Sequence, residues 1–308
     1  MSNLKDLKVR INSVKSTQKI TSAMKMVAAA KLRRAQEGAE AARPFASRME
    51  RMVAAVGDSI AGIDGAPKML AGTGKQDTHL IVACTADRGL CGGVNSSIAR
   101  EVRKMVINLK AEGKTVKILC IGRKGRDNLK RDYESNIIDT IEGIGKSSVE
   151  YTEATDVADR ITAMFDEDDF DICTIVFNRF QSAMTQIPTA QQLIPFAAPE
   201  AEEEKNGETA PKATDEGPFP IFIFEPEEQD ILSELLPRNI GVQIFQALLE
   251  SAASEHGARM TSMDNATRNA GEMIDKLSII YNRTRQAAIT TELVEIVSGA
   301  EALKKVQR

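Results

Sequence analysis

VQIFQALLESAASEHGARMTSMDNATRNAGEMIDKLSIIYNRTRQAAITTELVEIVS, residues 242–298, decides the architecture. Read in alternating steps of three and four, it gives Val242, Phe245, Leu249, Ala252, His256, Arg259, Met263, Ala266, Ala270, Met273, Leu277, Ile280, Thr284, Ala287, Thr291, Val294 and Ser298 without a slip. Most of these positions are apolar. A 3.5-residue repeat held this long predicts a helix wound into a left-handed coiled coil. His256, Arg259, Thr284 and Thr291 leave its seam too polar to stand alone, so the helix needs a partner.

The partner lies at the other end of the chain. From Leu4 the same spacing gives Leu7, Ile11, Val14, Gln18, Thr21, Lys25, Ala28, Leu32 and Ala35, and no Gly or Pro interrupts before Gly38. One helix is expected from about residue 3 to 58, which at 1.5 Å per residue reaches roughly 80 Å. We expect the two terminal helices to pair antiparallel, with Thr291 to Ser298 running beyond the partner's start. Gln18, Thr21 and Lys25 break the seam midway. They mark either an imperfect coiled coil or contact with something outside the pair.

Between the helices the period changes from seven to two. HLIVACT (79–85), VKILCIG (116–122) and DICTIVF (171–177) are short β-rich runs, and residues 95–110 and 152–165 read as amphipathic helices. Strands alternating with helices predict an α/β domain with a mainly parallel sheet, Rossmann-like in layout. QIPTAQQLI (186–194) is expected at the sheet edge, where Pro188 is tolerated. The expected organisation is a coiled-coil helix over 1–58, an α/β domain over 77–225 and a second coiled-coil helix over 235–308. Residues 197–218, with three prolines and no periodicity, are read as a mobile acidic insertion within the domain.

Composition agrees with long helices. Of 308 residues 42% are hydrophobic, only 4% are aromatic, and Trp is absent. The formal charge of −4 argues against nucleic acid as the main partner, but it is unevenly spread. Residues 1–51 hold twelve basic and four acidic side chains, and residues 200–230 hold two and eleven. Such asymmetry points to different neighbours at different ends. No stretch has the roughly 20 apolar residues of a membrane span. Cys84, Cys91, Cys120 and Cys173 are scattered without a CxxC pair, so zinc ligands are not expected, and Cys84, Cys120 and Cys173, each inside an apolar run, are expected as buried thiols in a reducing compartment.

Chemistry-bearing motifs are few. TADRGLCGGVN (85–95) joins a strand to a helix through three glycines, where phosphate loops occur, yet it fits neither GxxxxGK[ST] nor GxGxxG. It is read as structural turn glycines or a docking surface. DEDDFD (166–171) reads as a solvated turn. No His or Cys stands ready to activate a nucleophile, so no catalytic residue, cofactor or metal is expected.

ITTELVEIVSGAEA (289–302) resembles the signature of the gamma subunits of F-type ATP synthases, with matches at Ile289, Thr290, Glu292, Glu295, Gly299 and Ala300. ARMTSMDNATRNAG (258–271), NRTRQAAIT (282–290), STQKITSAMKMVAAAKLRRAQ (16–36) and DRGLCGGVN (87–95) resemble the same family, and only residues 197–218 depart from it. The resemblance implies a rotor turning inside a ring of three alpha and three beta subunits, driven by the c-subunit ring, with epsilon nearby. It also implies roles by position. Met24, Arg285, Gln286 and Thr290 would meet the beta-subunit loops, with Lys25 and Arg33 from the basic helix. Phe222, Phe224 and Glu225 would meet the c ring, and Asp87, Arg88 and Asn95 would face epsilon and the c ring. We further expect a basic collar of Arg285 and Gln286 with Met24 and Lys25 opposite. For Lys25 and Arg33 a solvated face stays open as the plain reading.

Two other functions stay open on the residues alone: a nucleotide-using α/β enzyme with helical arms, and a static coiled-coil tether. Periodicity shows a rod and is silent about torque. The start at Met1, without an Arg-rich transit stretch, favours the cytoplasmic face of a bacterial inner membrane.

Overall fold

A computed structural model describes residues 4–60, 67–196 and 228–306. The 197–218 insertion, the apolar run 219–224 and the three positions Phe222, Phe224 and Glu225 lie outside the described residues. Helix α1 spans Leu4–Ile60 and α6 spans Glu228–Val306. Between them come α2 (Lys68–Ala71), β1 (Thr78–Cys84), α3 (Val94–Ala111), β2 (Thr115–Ile121), α4 (Arg123–Tyr133), β3 (Ile137–Ile141), α5 (Tyr151–Asp166), β4 (Ile172–Phe180) and β5 (Gln186–Ile194). The chain divides into two compact units, one of residues 1–30 with 259–308 and one of residues 31–258.

In the first unit α1 and α6 run antiparallel, and the register can be read from three contacts. Thr267 Oγ1 donates to Thr21 Oγ1 at 2.8 Å, Lys25 Nζ reaches Asp264 Oδ1 at 2.6 Å, and Gly271 faces the Gln18 amide. Residue numbers of facing pairs add to about 289, as antiparallel helices require. The N-terminal seam falls where the spacing predicted it. Leu7, Thr21 and Ala28 are buried, and Leu4, Ile11, Val14, Gln18 and Lys25 are half-buried.

On α6 one of the two predicted columns is displaced by a single residue. Met263, Ala270 and Leu277 are buried as expected, but Ile274, Tyr281 and Ala288 are less exposed than Met273, Ile280 and Ala287. Met273 is 50% and Ile280 47% exposed. Both residues of each adjacent pair can fill a seam, so heptad spacing counted from Val242 settles on the neighbouring column. The true one starts at Thr267, whose Oγ1 lies 2.8 Å from Thr21 Oγ1 and 2.7 Å from the Met263 carbonyl oxygen, so its one proton has an acceptor on either helix.

The second unit holds a five-stranded sheet in the order β3-β2-β1-β4-β5, parallel except for β5 against β4. Leu80, Val82 and Cys84 point to a core closed by α5 and by Ile240, Ile244 and Leu248 of α6. Ile81 and Ala83 point to the other face, closed by Ile98, Val102 and Val106 of α3 and Leu129 of α4. Burial on both faces is why the strands read as unbroken apolar runs. Cys84, Cys120 and Cys173 are buried as expected and Cys91 is buried as well, and burial pushes the Cys84 thiol up to about 12 and the Cys120 thiol up to about 11. Such thiols are inert at neutral pH. β5 forms the sheet edge, with Pro188 opposite Asn178. Within this unit, too, α1 and α6 pack antiparallel, Met49 and Val53 against Leu232 and Leu236.

Three elements escaped the sequence reading, the first being the single-turn α2. The α4 segment RKGRDNLKRDY buries only Gly125 and Leu129, so it carries almost no apolar period. The β3 segment IIDTI is short and half-exposed at the other edge.

Candidate interaction surfaces

The helix pair presents the first surface. Facing numbers that sum to 289 put Arg285 opposite the first described residue of α1, Leu4. From there α6 outruns the described part of its partner, and Ile289 to Ala300 are all exposed. Along this free length Ile289, Leu293, Ile296 and Val297 are 44%, 57%, 67% and 57% exposed. At 100° per residue these four occupy an arc about 100° wide, which Val294, 58% exposed, extends to about 160°, with Glu292, Glu295 and Ser298 on the other side. The tip is therefore apolar on one side and polar on the other.

The expected collar does not form at one level. Lys25 stands opposite Asp264, whereas Arg285 and Gln286 lie some twenty residues, roughly 30 Å, farther along α6. Antiparallel register separates them, because adding residues on one helix means subtracting them on the other. Asp264 is held below the usual carboxylate range by the hydrogen bond and charge of Lys25, so this seam interruption is satisfied across the pair. Met24 is half-buried beside it. Arg33, in the second unit, is exposed and pairs with Glu37 along its own helix at 2.9 Å. Arg285, Gln286 and Thr290 are exposed, and the Thr290 hydroxyl donates to the Gln286 carbonyl at 2.9 Å.

The second surface is the carboxyl end of the sheet, where an open α/β fold places ligands. Here side chains of the protein itself take the backbone donors. The Asp87 carboxylate accepts from Arg123 N at 3.0 Å, at the start of α4, and from Gly143 N at 2.8 Å. Asn95 Oδ1 accepts from Ala86 N at 2.9 Å, and its Nδ2 donates to Cys91 Sγ at 3.2 Å. Thr85 Oγ1 accepts from Gly125 N at 2.7 Å. An internal carboxylate thus sits where a helix N-terminus would otherwise attract an anion.

Gly122, at φ +87°, passes so close to β1 that a Cβ there would lie 2.1 Å from the Thr85 carbonyl oxygen. Cys91 and Val94 close the end against Ala258 of α6. Asp87 and Asn95 accordingly organise the loop from within, and Arg88 and Leu90 face out. Leu90 holds φ +65° while 62% exposed.

The acidic run is more structural than a solvated turn. Asp171 accepts from Thr73 Oγ1 at 2.7 Å and from the N–H groups of Asp77 and Thr78, both at 3.0 Å. Asp168 and Asp169 pair with Lys68 and Lys117. Among the described residues no group of His, Cys, Asp and Glu is arranged to hold a metal ion. No described helix is long and apolar enough to cross a membrane. The sequence reading missed Asn178, Glu250 and Ser254, polar residues that are buried. Asn178 had a signal, a lone polar residue within the apolar run TIVFNRF, whereas Glu250 and Ser254 lie in the mixed stretch ESAAS and had none.

The family described as ATP synthase matches residues 3–303. The ATP synthase gamma chain of Paramagnetospirillum magneticum is 58% identical over 303 residues, covering 98% of this chain and all of that one. That of Rhodospirillum rubrum is 57% identical over 305 residues, with the same coverage. Among solved structures, a chain in the central stalk and c-ring assembly of Tetrahymena thermophila mitochondrial ATP synthase superposes with TM-score 0.58 at 27% identity, covering 80% of this chain and 99% of that one. A chain from the OSCP, F1 and c-ring assembly of the Euglena gracilis enzyme gives TM-score 0.68 at 20% identity, over 99% of this chain and 96% of that one, which establishes likeness of fold.

Proposed function

This chain belongs to the ATP synthase gamma family, and from that premise we propose that it works as the rotating central stalk of an F-type ATP synthase. It couples turning of a c-subunit ring to ATP synthesis or hydrolysis in a ring of three alpha and three beta subunits. It holds no catalytic site of its own and meets the membrane only through the c ring, on the cytoplasmic face of a bacterial inner membrane. Epsilon is its remaining neighbour.

The observation that carries this reading is the free, one-sided tip of α6. A shaft does work only if each of its angles favours a different conformation of the surrounding subunits. Moving a two-state site from 1:99 to 99:1 takes a differential of about 5.5 kcal/mol. At about 25 cal/mol per Å² that is about 220 Å² of apolar surface covered in one state and not in the other. Burying two or three large aliphatic side chains supplies this, and the arc of Ile289, Leu293, Ile296 and Val297 offers four. Polar residues on the opposite side make the supply depend on angle.

Contacts with beta-subunit loops are proposed for Met24, Lys25, Arg33, Arg285, Gln286 and Thr290. Arg285 and Thr290 flank the apolar arc, and Met24 with Lys25 forms a separate, lower level. At the sheet end Asp87, Arg88 and Asn95 are proposed to shape a face toward epsilon and the c ring, to which Phe222, Phe224 and Glu225 also belong. Arg285→Glu should leave assembly intact and lower proton pumping per ATP hydrolysed in membranes carrying the variant. Normal assembly with unchanged pumping would return Arg285 to the solvated face.

The deciding experiment is co-purification with alpha and beta, followed by single-particle rotation of a probe on this chain. Recovery of three alpha and three beta per chain, with ATP-driven rotation, is expected. Co-purification without rotation would select the static tether. ATP binding by the isolated chain would select the enzyme, against which the occupied backbone donors at the sheet end already speak.

A further inference from the structure

We propose that Glu250 and Ser254 of α6, gripping the end of β4, form the torque-bearing joint between the long helix and the sheet of residues 31–258, an inference that rests on the rotor reading. Glu250 Oε2 accepts from the Phe180 backbone N–H at 2.8 Å, and Ser254 Oγ donates to the Asn178 carbonyl at 2.9 Å. Ser254 is fully buried and Glu250 is 8% exposed. The two residues are four apart and so share one face of the helix.

The grip extends on both sides. The other Glu250 oxygen faces Arg43 Nη2 of α1 at 3.9 Å. The fully buried Asn178 continues inward, its Nδ2 donating to the Val94 carbonyl at 3.2 Å and its Oδ1 accepting from Ser97 Oγ at 3.2 Å, both on α3. One turn beyond Ser254, Gly257 brings α6 so near that a Cβ would meet Phe180 Cε2 at 3.0 Å and Ala183 Cα at 3.2 Å. Sheet, α1, α3 and α6 are thereby tied at one place, next to the boundary at residue 258.

Apolar packing elsewhere between α6 and the sheet is non-directional and resists rolling weakly. Hydrogen bonds to strand backbone are directional, and their carboxylate cannot be left buried without a donor. With side-chain ends roughly 5–6 Å from the helix axis, a roll of about 10° moves them by about 1 Å, enough to spoil a 2.8 Å bond. The other hydrogen bond between α6 and the sheet, Gln191 Nε2 to Gln243 Oε1 at 3.1 Å, joins two half-buried side-chain amides, so the two bonds to the backbone of β4 set most of the resistance to twist between helix and sheet.

The test uses the assembled complex. A probe is attached through Met184→Cys, at a position 83% exposed in the β4–β5 turn, and its angular fluctuation is recorded with the catalytic ring fixed and the rotor stalled. Glu250→Ala with Ser254→Ala should raise the angular variance about two-fold or more, while ATP hydrolysis by the complex is retained. Glu250→Gln keeps an oxygen acceptor for Phe180 N–H and should restore most of the stiffness, which a merely volume-filling role would not produce. Unchanged variance in the double variant overturns the joint. If the double variant fails to assemble, Ser254→Ala alone decides by the same readout, because it removes one neutral bond from an otherwise intact junction. A wild-type probe that never turns with ATP rejects the rotor reading itself and the joint with it.

Discussion

Gly122→Ala isolates what the glycines at the sheet end are for. Gly122 sits at φ +87° and ψ 137°, outside even the left-handed helical region, a conformation that costs an L-residue about 1–3 kcal/mol. Its new Cβ would stand 2.1 Å from Thr85 O and 2.7 Å from Thr85 C, so backbone rather than a side chain must retreat. Retreat of Thr85 endangers Thr85 N to Ile121 O at 2.8 Å, Thr85 Oγ1 to Ile121 O at 2.9 Å and Gly125 N to Thr85 Oγ1 at 2.7 Å. Losing two of these at about 1 kcal/mol each, with the conformational cost, gives a loss of about 3–5 kcal/mol. Gly113 is the control, because its φ is +78° yet a Cβ there meets nothing within 4 Å. Gly113→Ala should lose only the conformational part, about 1 kcal/mol. Urea unfolding of the full chain, followed by far-ultraviolet circular dichroism, measures both. Equal losses in the two variants would refute close packing as the reason for Gly122.

Three further outcomes are expected. Lys25→Asp should weaken the paired ends by setting two carboxylates together, and Lys25→Asp with Asp264→Lys should restore the wild-type melting temperature; a double variant no better than the single one would deny the pair a part in register. Leu293→Ser with Ile296→Ser should leave the melting temperature of the free chain unchanged, since both side chains are exposed, while lowering ATP-driven rotation rate about ten-fold or more through lost apolar contact; an unaltered rate would remove the tip from coupling. Asp171→Asn should lower the melting temperature at pH 7 and converge with wild type in acid. Burial alone would raise the Asp171 pKa, but the Thr73 hydroxyl and the N–H groups of Thr78 and Asp77 outweigh it and hold the pKa down. Its stabilisation is thus complete above the ordinary carboxylate pKa of about 3.9 and fades as pH falls through the lowered folded value. A difference between the curves that persists at full protonation would contradict this.

The long helices and the inner strands were legible because burial on a fixed face writes a period into the sequence. The N-terminal seam could be read to the residue, from Leu4 to Ala35. The C-terminal seam was legible in one column only, since Met273 and Ile280 are apolar without being buried and Ile274 and Tyr281 compete beside them. Helix α4 was illegible because charged residues solvate it almost all round, and two buried positions make no period. The collar failed for another reason. Which residues share a helix follows from spacing, but which residues face each other across two helices depends on register, and register came from Thr21, Lys25, Asp264 and Thr267 acting together. Asp87 and Asn95 drew notice through the family resemblance rather than through any period, and their side chains turn inward to hold the loop. Glu250 and Ser254 were overlooked because a heptad reading treats every polar residue between the columns as surface.

The pairs Lys25–Asp264 and Thr21–Thr267 join residues 239 and 246 positions apart. On a ribosome adding about 5–20 residues per second, the first of these side chains waits roughly 12–50 s for its partner to be made. For that time the start of α1 carries an apolar stripe with nothing to cover it. Gln18, Thr21 and Lys25 interrupt the stripe at its middle, so the nascent helix offers no long continuous sticky face to a neighbouring chain. Polar residues that fix the register of the finished pair thereby also guard the unfinished one against pairing with the wrong copy.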